Sequence, residues 1–151
     1  MPSVELEGYD EIQQLLQKMT KKTEDTAPVM AEIANSLYNI TMDSFSEQKS
    51  PSGVPWKRLS AATLKRKKHP GKILYETGQL HRRIYTRSDN DRAEIGVNLP
   101  YAAIHQFGGN AGRGKKVVIP ARPYFPLEDD TLSKVAVDEI VEILEEFLEV
   151  L

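Results

Sequence analysis

The residues from Gly109 to Lys116 come nearest to a chemical motif in this chain. They read Gly-Asn-Ala-Gly-Arg-Gly-Lys-Lys, which fits the spacing G-x-x-x-x-G-K of a phosphate-cradling loop but puts Lys116 where the magnesium-binding Ser or Thr belongs. Context argues against nucleotide binding. Such a loop follows a strand and opens a helix whose N-terminal amides face the phosphates, whereas here a helical pattern comes before it and the β-branched run Val117, Val118, Ile119 comes after. The plainer reading is a hairpin-like loop with a solvated basic tip, poorly ordered in the free subunit and ordering when it docks.

Other chemistry has less to stand on. His69, His81 and His105 are scattered, with no pair at metal-ligand spacing on a shared helix and no acid cluster beside them. His105 reads as a half-buried packing residue rather than a general base. The absence of Cys excludes thiolate zinc sites, iron–sulfur clusters, a Cys nucleophile and disulfides. There is no G-x-S-x-G elbow and no H-E-x-x-H helix. The expectation is a protein that is not an enzyme, with no catalytic residues, no cofactor and no metal.

Basic residues are the remaining candidates. Lys65, Arg66, Lys67 and Lys68 form one run, and Arg113, Lys115, Lys116 and Arg122 add to it; together they are the expected partner interface. They could grip nucleic-acid phosphates, although the interleaved aromatics of a single-strand binder are missing. An acidic protein surface is an equally good partner. The net charge of −2 conceals a segregation that bears on this choice. Residues 1–48 carry nine acids and three bases, residues 49–127 four acids and sixteen bases, and residues 128–151 nine acids and one base. Such blocks mark surfaces that meet other charged surfaces, unless the acidic ends simply fold over the basic middle.

At 151 residues, the chain suits one domain, here taken as 1–151. It is long enough to bury about two-thirds of its unfolded surface without disulfides or a metal. No apolar run approaches the roughly 20 residues that span a bilayer, and the start lacks a basic, greasy leader. The expectation is a soluble protein made inside the cell, with no membrane partner.

The elements that must position these residues follow from periodicity. Val4 and Leu6 suggest a short edge strand. A first helix is expected from about Asp10 to Lys22 on Ile12, Leu15, Leu16 and Met19. A second, capped by Thr26 with Pro28 in its first turn, carries Met30, Ile33, Leu37, Thr41 and Phe45 and ends near Gln48. Residues 49–59 read as an ordered loop anchored by Trp56. A short basic helix with Ser60 as cap and Leu64 inward should follow and stop at Pro70 and Gly71, then a helix or turn with Leu74, Leu80 and Ile84, capped by Thr77. A hairpin is expected around the turn Ser88 to Asp91, pairing Ile84 and Thr86 with Ala93, Ile95 and Val97. Tyr101, Ile104, His105 and Phe107 take the spacing of one face of a two-turn helix closed by Gly108 and Gly109. Val117 to Ile119 form a third strand, cut short by Pro120, Pro123 and Pro126. A last helix is expected from Glu128 to the end, with Glu128, Asp129 and Asp130 in its first turn. The class is α+β: a small antiparallel sheet packed with N-terminal helices and a long C-terminal helix.

Four blocks in order, Trp56-Lys-Arg-Leu-Ser60, Ile73-Leu-Tyr-Glu-Thr-Gly-Gln-Leu80, Tyr101-Ala-Ala-Ile-His-Gln-Phe-Gly-Gly109 and Ile119-Pro-Ala-Arg-Pro-Tyr-Phe125, resemble the phage virion-morphogenesis family, also called tail-completion proteins. The resemblance covers residues 26–150 or so. It implies a structural protein of the neck of a tailed phage, prophage or phage-derived particle, assembled in the bacterial cytoplasm and used to complete the tail or join it to the head. Similar neck and tail-terminator proteins form rings, commonly hexamers, around the channel through which DNA passes. The implied partners are copies of the chain itself, the tail tube or tail terminator, and the head connector, with passing contact to DNA. A nucleic-acid-binding protein using residues 65–72 and 108–116 is the alternative.

Overall fold

The computed structural model describes residues 9–58, 79–99, 102–111, 114, 117–128 and 131–151. The expected strand at Val4 and Leu6, the basic helix capped by Ser60 with Leu64, Pro70 and Gly71, and the turn with Leu74 and Thr77 lie outside them. So do Tyr101, Asp129 and Asp130.

The fold is α+β, as the periodicity predicts. Helix α1 spans Tyr9–Lys22 and buries Ile12, Leu15 and Met19, three of the four residues spaced for that face. Helix α2 spans Ala27–Glu47. It stops where Gln48 turns into the left-handed region at φ 56° and its N–H reaches back to Ser44 O, which satisfies an orphan carbonyl of the last turn. Its buried residues include Val29, Ile33, Leu37, Ile40 and Thr41; Thr41 is accommodated because its hydroxyl donates to Leu37 O at 2.9 Å. The short helix α3 (Gln79–Arg82) then leads into the hairpin of β1 (Ile84–Ser88) and β2 (Ala93–Val97). That hairpin is antiparallel, with Ile84 facing Val97 and Ser88 facing Ala93. Asp89 holds its turn by accepting the N–H groups of Asp91 and Arg92.

Helix α4 (Ala102–Phe107) is followed by the ladder of β3 (Gly109–Ala111) and β4 (Val117–Ile119). A two-residue ladder of β5 (Leu127–Glu128) and β6 (Thr131–Leu132) precedes helix α5 (Lys134–Glu149).

Helix α2 is the element that both halves of the core share. On one side it packs with α1 and α5, where Met19, Val29 and Leu144 are fully buried. Against the β1–β2 hairpin, a second cluster gathers Trp56, Leu80, Ile84, Ala102 and Tyr124, with Tyr38, Met42 and Phe45 from α2 packed on it. Ile95 touches both clusters.

Three sequence expectations are corrected. The last helix begins at Lys134, not Glu128: Ser133 is its N-cap and accepts the N–H of Ala136, while Glu128 lies in β5 and Leu132 in β6. Leu132 has the spacing of the apolar residues of this helix but packs on the same core from a strand. At 16 residues, the helix is about 24 Å long. In α4 the buried residues are Ala102 and Gln106, while Phe107 is exposed, so its expected face is turned. The stretch read as loop from Gly109 to Ala111 is a strand, because its backbone finds Val117 to Ile119 as partner.

Thr26 is the N-cap of α2, but its side chain makes no cap bond. The cap comes from the hairpin. Asn90 Oδ1 accepts the N–H groups of Thr26 at 3.0 Å and Ala27 at 2.9 Å, and the Thr26 hydroxyl donates to Asn90 O at 2.6 Å. A residue 64 positions away thus closes the helix and ties it to the hairpin. Asn90→Ala should cost about 1–2 kcal/mol, whereas Asn90→Asp, which keeps the acceptor, should retain most of the stability; urea unfolding midpoints of the two variants check this.

Candidate functional site

Three of the four motif blocks meet in space, around the segment from Pro120 to Pro126. Prolines at 120, 123 and 126 keep this stretch out of any ladder, so its polar backbone groups must find partners elsewhere, among side chains and the backbone of other elements. Trp56 Nε1 donates to Pro123 O at 2.7 Å. Gln106 Oε1 accepts both Tyr124 N–H at 2.9 Å and Phe125 N–H at 2.8 Å. The Tyr124 hydroxyl donates to Ala102 O at 2.7 Å, and Arg122 N–H to His105 O at 2.7 Å. The loop after α2 and helix α4 therefore clamp the segment from two sides.

Aromatic packing fills the space beneath. Phe45 meets Trp56 edge-on at 5.8 Å and Tyr124 at 5.1 Å, and Tyr124 meets Phe125 at 4.7 Å between ring centroids. Trp56 is the loop anchor that the sequence suggests. Gly108 closes the arrangement for two reasons: its φ is +75°, and a Cβ there would meet Ala121 N at 2.9 Å and Ile119 O at 3.0 Å.

Over this clamp lies an open groove of about 420 Å³, lined by Val54, Pro55, Trp56, Gln106, Phe107 and Pro123 among others. Two of its apolar residues face solvent, Val54 at 63 % and Phe107 at 56 % exposure. Large exposed apolar side chains gathered at one concavity mark binding surfaces more often than isolated ones do. The groove offers shape and apolar contact. Among the described residues no group of three or more His, Asp or Glu could hold a metal ion.

Burial pushes the Tyr124 phenol well above its ordinary value of 10.0, so it stays a neutral donor to Ala102 O. The sign of the consequence is fixed. Above about pH 10 the unfolded chain releases this proton and the folded chain does not, so the contribution to stability declines as pH rises further. The stability advantage of the natural protein over Tyr124→Phe should be largest from pH 7 to 9 and shrink above pH 10, as read from urea midpoints against pH.

The basic candidates fare differently. Lys65, Arg66, Lys67, Lys68, Arg113, Lys115 and Lys116 lie outside the described residues. Arg122 is only 7 % exposed; Nε donates to Lys57 O at 2.9 Å and its terminal nitrogen lies 3.4 Å from Arg58 O. The structure gives it an intrachain role, holding the Trp56 loop, and burial lowers its pKa from the ordinary guanidinium value. Exposed bases also occur where the sequence reading did not look, at Arg82 in α3, Arg83 after it and Arg87 in β1. Opposite in sign is α5, where exposed Asp138, Glu142, Glu145 and Glu149 recur on one stripe. No described helix is long and apolar enough to cross a membrane.

The model of the phage virion morphogenesis family matches residues 8–149. The chain belongs to this family. A relative from Haemophilus influenzae, the Mu-like prophage FluMu G protein 2, is 38 % identical over 127 residues, covering 84 % of this chain and 85 % of that protein. The putative capsid assembly protein G of Escherichia phage Mu is 37 % identical over 123 residues, 78 % of each chain. No solved structure matches. In this family member, three of the four blocks that carry the resemblance thus supply residues of the clamp and its groove. Gln106 and Asn90 escaped the sequence reading, because nothing in their neighbourhoods shows which distant N–H groups they must satisfy.

Proposed function

We propose that this phage structural protein completes the tail or joins it to the head connector in the neck of the particle, acting as a ring of identical subunits. The observation that carries the reading is the family match over nearly the whole chain. A relative named for capsid assembly points the same way, toward building particles rather than catalysing reactions. The described surface suits such work. A closed ring built head to tail needs two different, complementary faces on each subunit, and the acidic stripe of α5 and the exposed arginines of α3 and β1 have opposite signs. Segregated charge steers encounter and register more than it adds affinity.

The test is oligomeric mass across salt, with duplex DNA retention measured in parallel. At 0.1 M salt, screening acts over about 10 Å and at 1 M over about 3 Å, so the fraction assembled should fall as salt rises. Monomer alone at high concentration and low salt would count against self-assembly. A steep salt-sensitive affinity for duplex DNA that flattens by about three to four units of slope when Lys65, Arg66, Lys67 and Lys68 become Gln would put nucleic-acid binding first.

A further inference from the structure

Among the described residues, two apolar features of the surface have no apolar cover. One is the groove over the clamp, with Val54 and Phe107 turned to solvent. The other is the pair that follows α5, Val150 at 81 % and Leu151 at 46 % exposure. Their surroundings differ in charge: Lys49, Lys57 and Arg58, all exposed, flank the groove-lining loop in the chain, whereas Val150 and Leu151 stand at the foot of the acidic stripe that ends in Glu145 and Glu149. Glu128 also lines the groove and exposed Glu47 precedes Lys49 in the chain, so bases exceed acids there by three to two.

We propose that the groove receives Val150 and Leu151 of a second copy of the chain, in a head-to-tail contact that repeats around the assembly. The proposal rests on the self-assembly reading above and names the two surfaces that would meet. Charge complementarity selects this occupant: an apolar pair led by carboxylates enters an apolar concavity flanked by bases, so attraction at the rim and burial at the centre act together. The contact is heterologous, since groove and tail are different patches, and a heterologous contact closes into a ring when its rotation allows. It also gives the exposed Phe107 a task, as the large apolar contact at the centre of an interface.

The asymmetry of the contact allows a direct test with the full chain at low salt. Variant one carries Phe107→Ser and keeps its tail; Val54→Ser is a second groove variant in case the first perturbs α4. Variant two carries Val150→Ser with Leu151→Ser and keeps its groove. Circular dichroism verifies that each is folded, and light scattering gives the mass. Each variant alone should lose association by about thirtyfold or more, as central interface residues do on truncation. An equimolar mixture of the two should recover a species of two chains and no more, because one intact groove then meets one intact tail. Rings of unchanged mass and salt dependence in both variants would overturn the proposal while leaving self-assembly standing. Loss of assembly in the groove variant alone would show that the groove holds another surface and would overturn this occupant. A natural protein that stays monomeric throughout would overturn both readings.

Discussion

Replacing Trp56 by Ala should destabilise the protein by about 3–5 kcal/mol, the largest effect expected of any single substitution in the loop that follows α2. The side chain is 5 % exposed, packs edge-on against Phe45 and donates to Pro123 O, so truncation opens a cavity and strands a buried carbonyl at once. Trp56→Phe separates the two contributions. It keeps most of the ring and loses the donor, and should cost about 1–3 kcal/mol. Chemical denaturation followed by circular dichroism measures both variants. Equal losses for Ala and Phe would mean that the hydrogen bond dominates and the packing matters little.

Gln106→Leu is expected to cost about 2–6 kcal/mol, since the buried N–H of Tyr124 and the part-buried N–H of Phe125 lose their acceptor at about 1–3 kcal/mol each. Leu has nearly the same size, so cavity formation is a minor part of this loss. Gln106→Glu tests the geometry. It retains an oxygen for both donors and should fold, but it buries a carboxylate and should become more stable as pH falls and that group is neutralised. The pair of variants thus distinguishes the acceptor from the shape of the side chain. Between pH 8 and pH 5 the unfolding midpoint of the Glu variant should rise relative to that of the Leu variant.

These residues also show where sequence reasoning succeeds. The β1–β2 hairpin was legible because apolar alternation on both sides of Ser88 to Asp91 leaves only one register that keeps Ile84 and Ile95 inward. Helices α1 and α2 were legible for the same kind of reason, a single apolar stripe ended by an abrupt change of pattern. The last helix was read eight residues too long, six of them at its start, since periodicity registers burial and Leu132 is half-buried in a strand. Turning α4 required knowing that Gln106 has two distant donors to satisfy, and this enlists a polar residue for the inside. The cap of α2 by Asn90 was invisible for a like reason: Thr26 is an ordinary cap by local rules, and only the folded chain brings the hairpin turn to it. Of the site, the motif blocks, the Trp56 anchor and the role of Gly108 were readable. The groove was not, because it is a property of the space between the blocks.

The most direct measurement of the central claim is a complementation of particle assembly. The phage or prophage that encodes the chain is induced with this gene disabled, the particles are counted by electron microscopy, and purified protein is then added to the lysate. The account predicts heads and tails that accumulate unjoined or with unfinished tail ends, and recovery of complete infectious particles on addition of the natural protein. Complete, infectious particles at normal yield without the protein would contradict it.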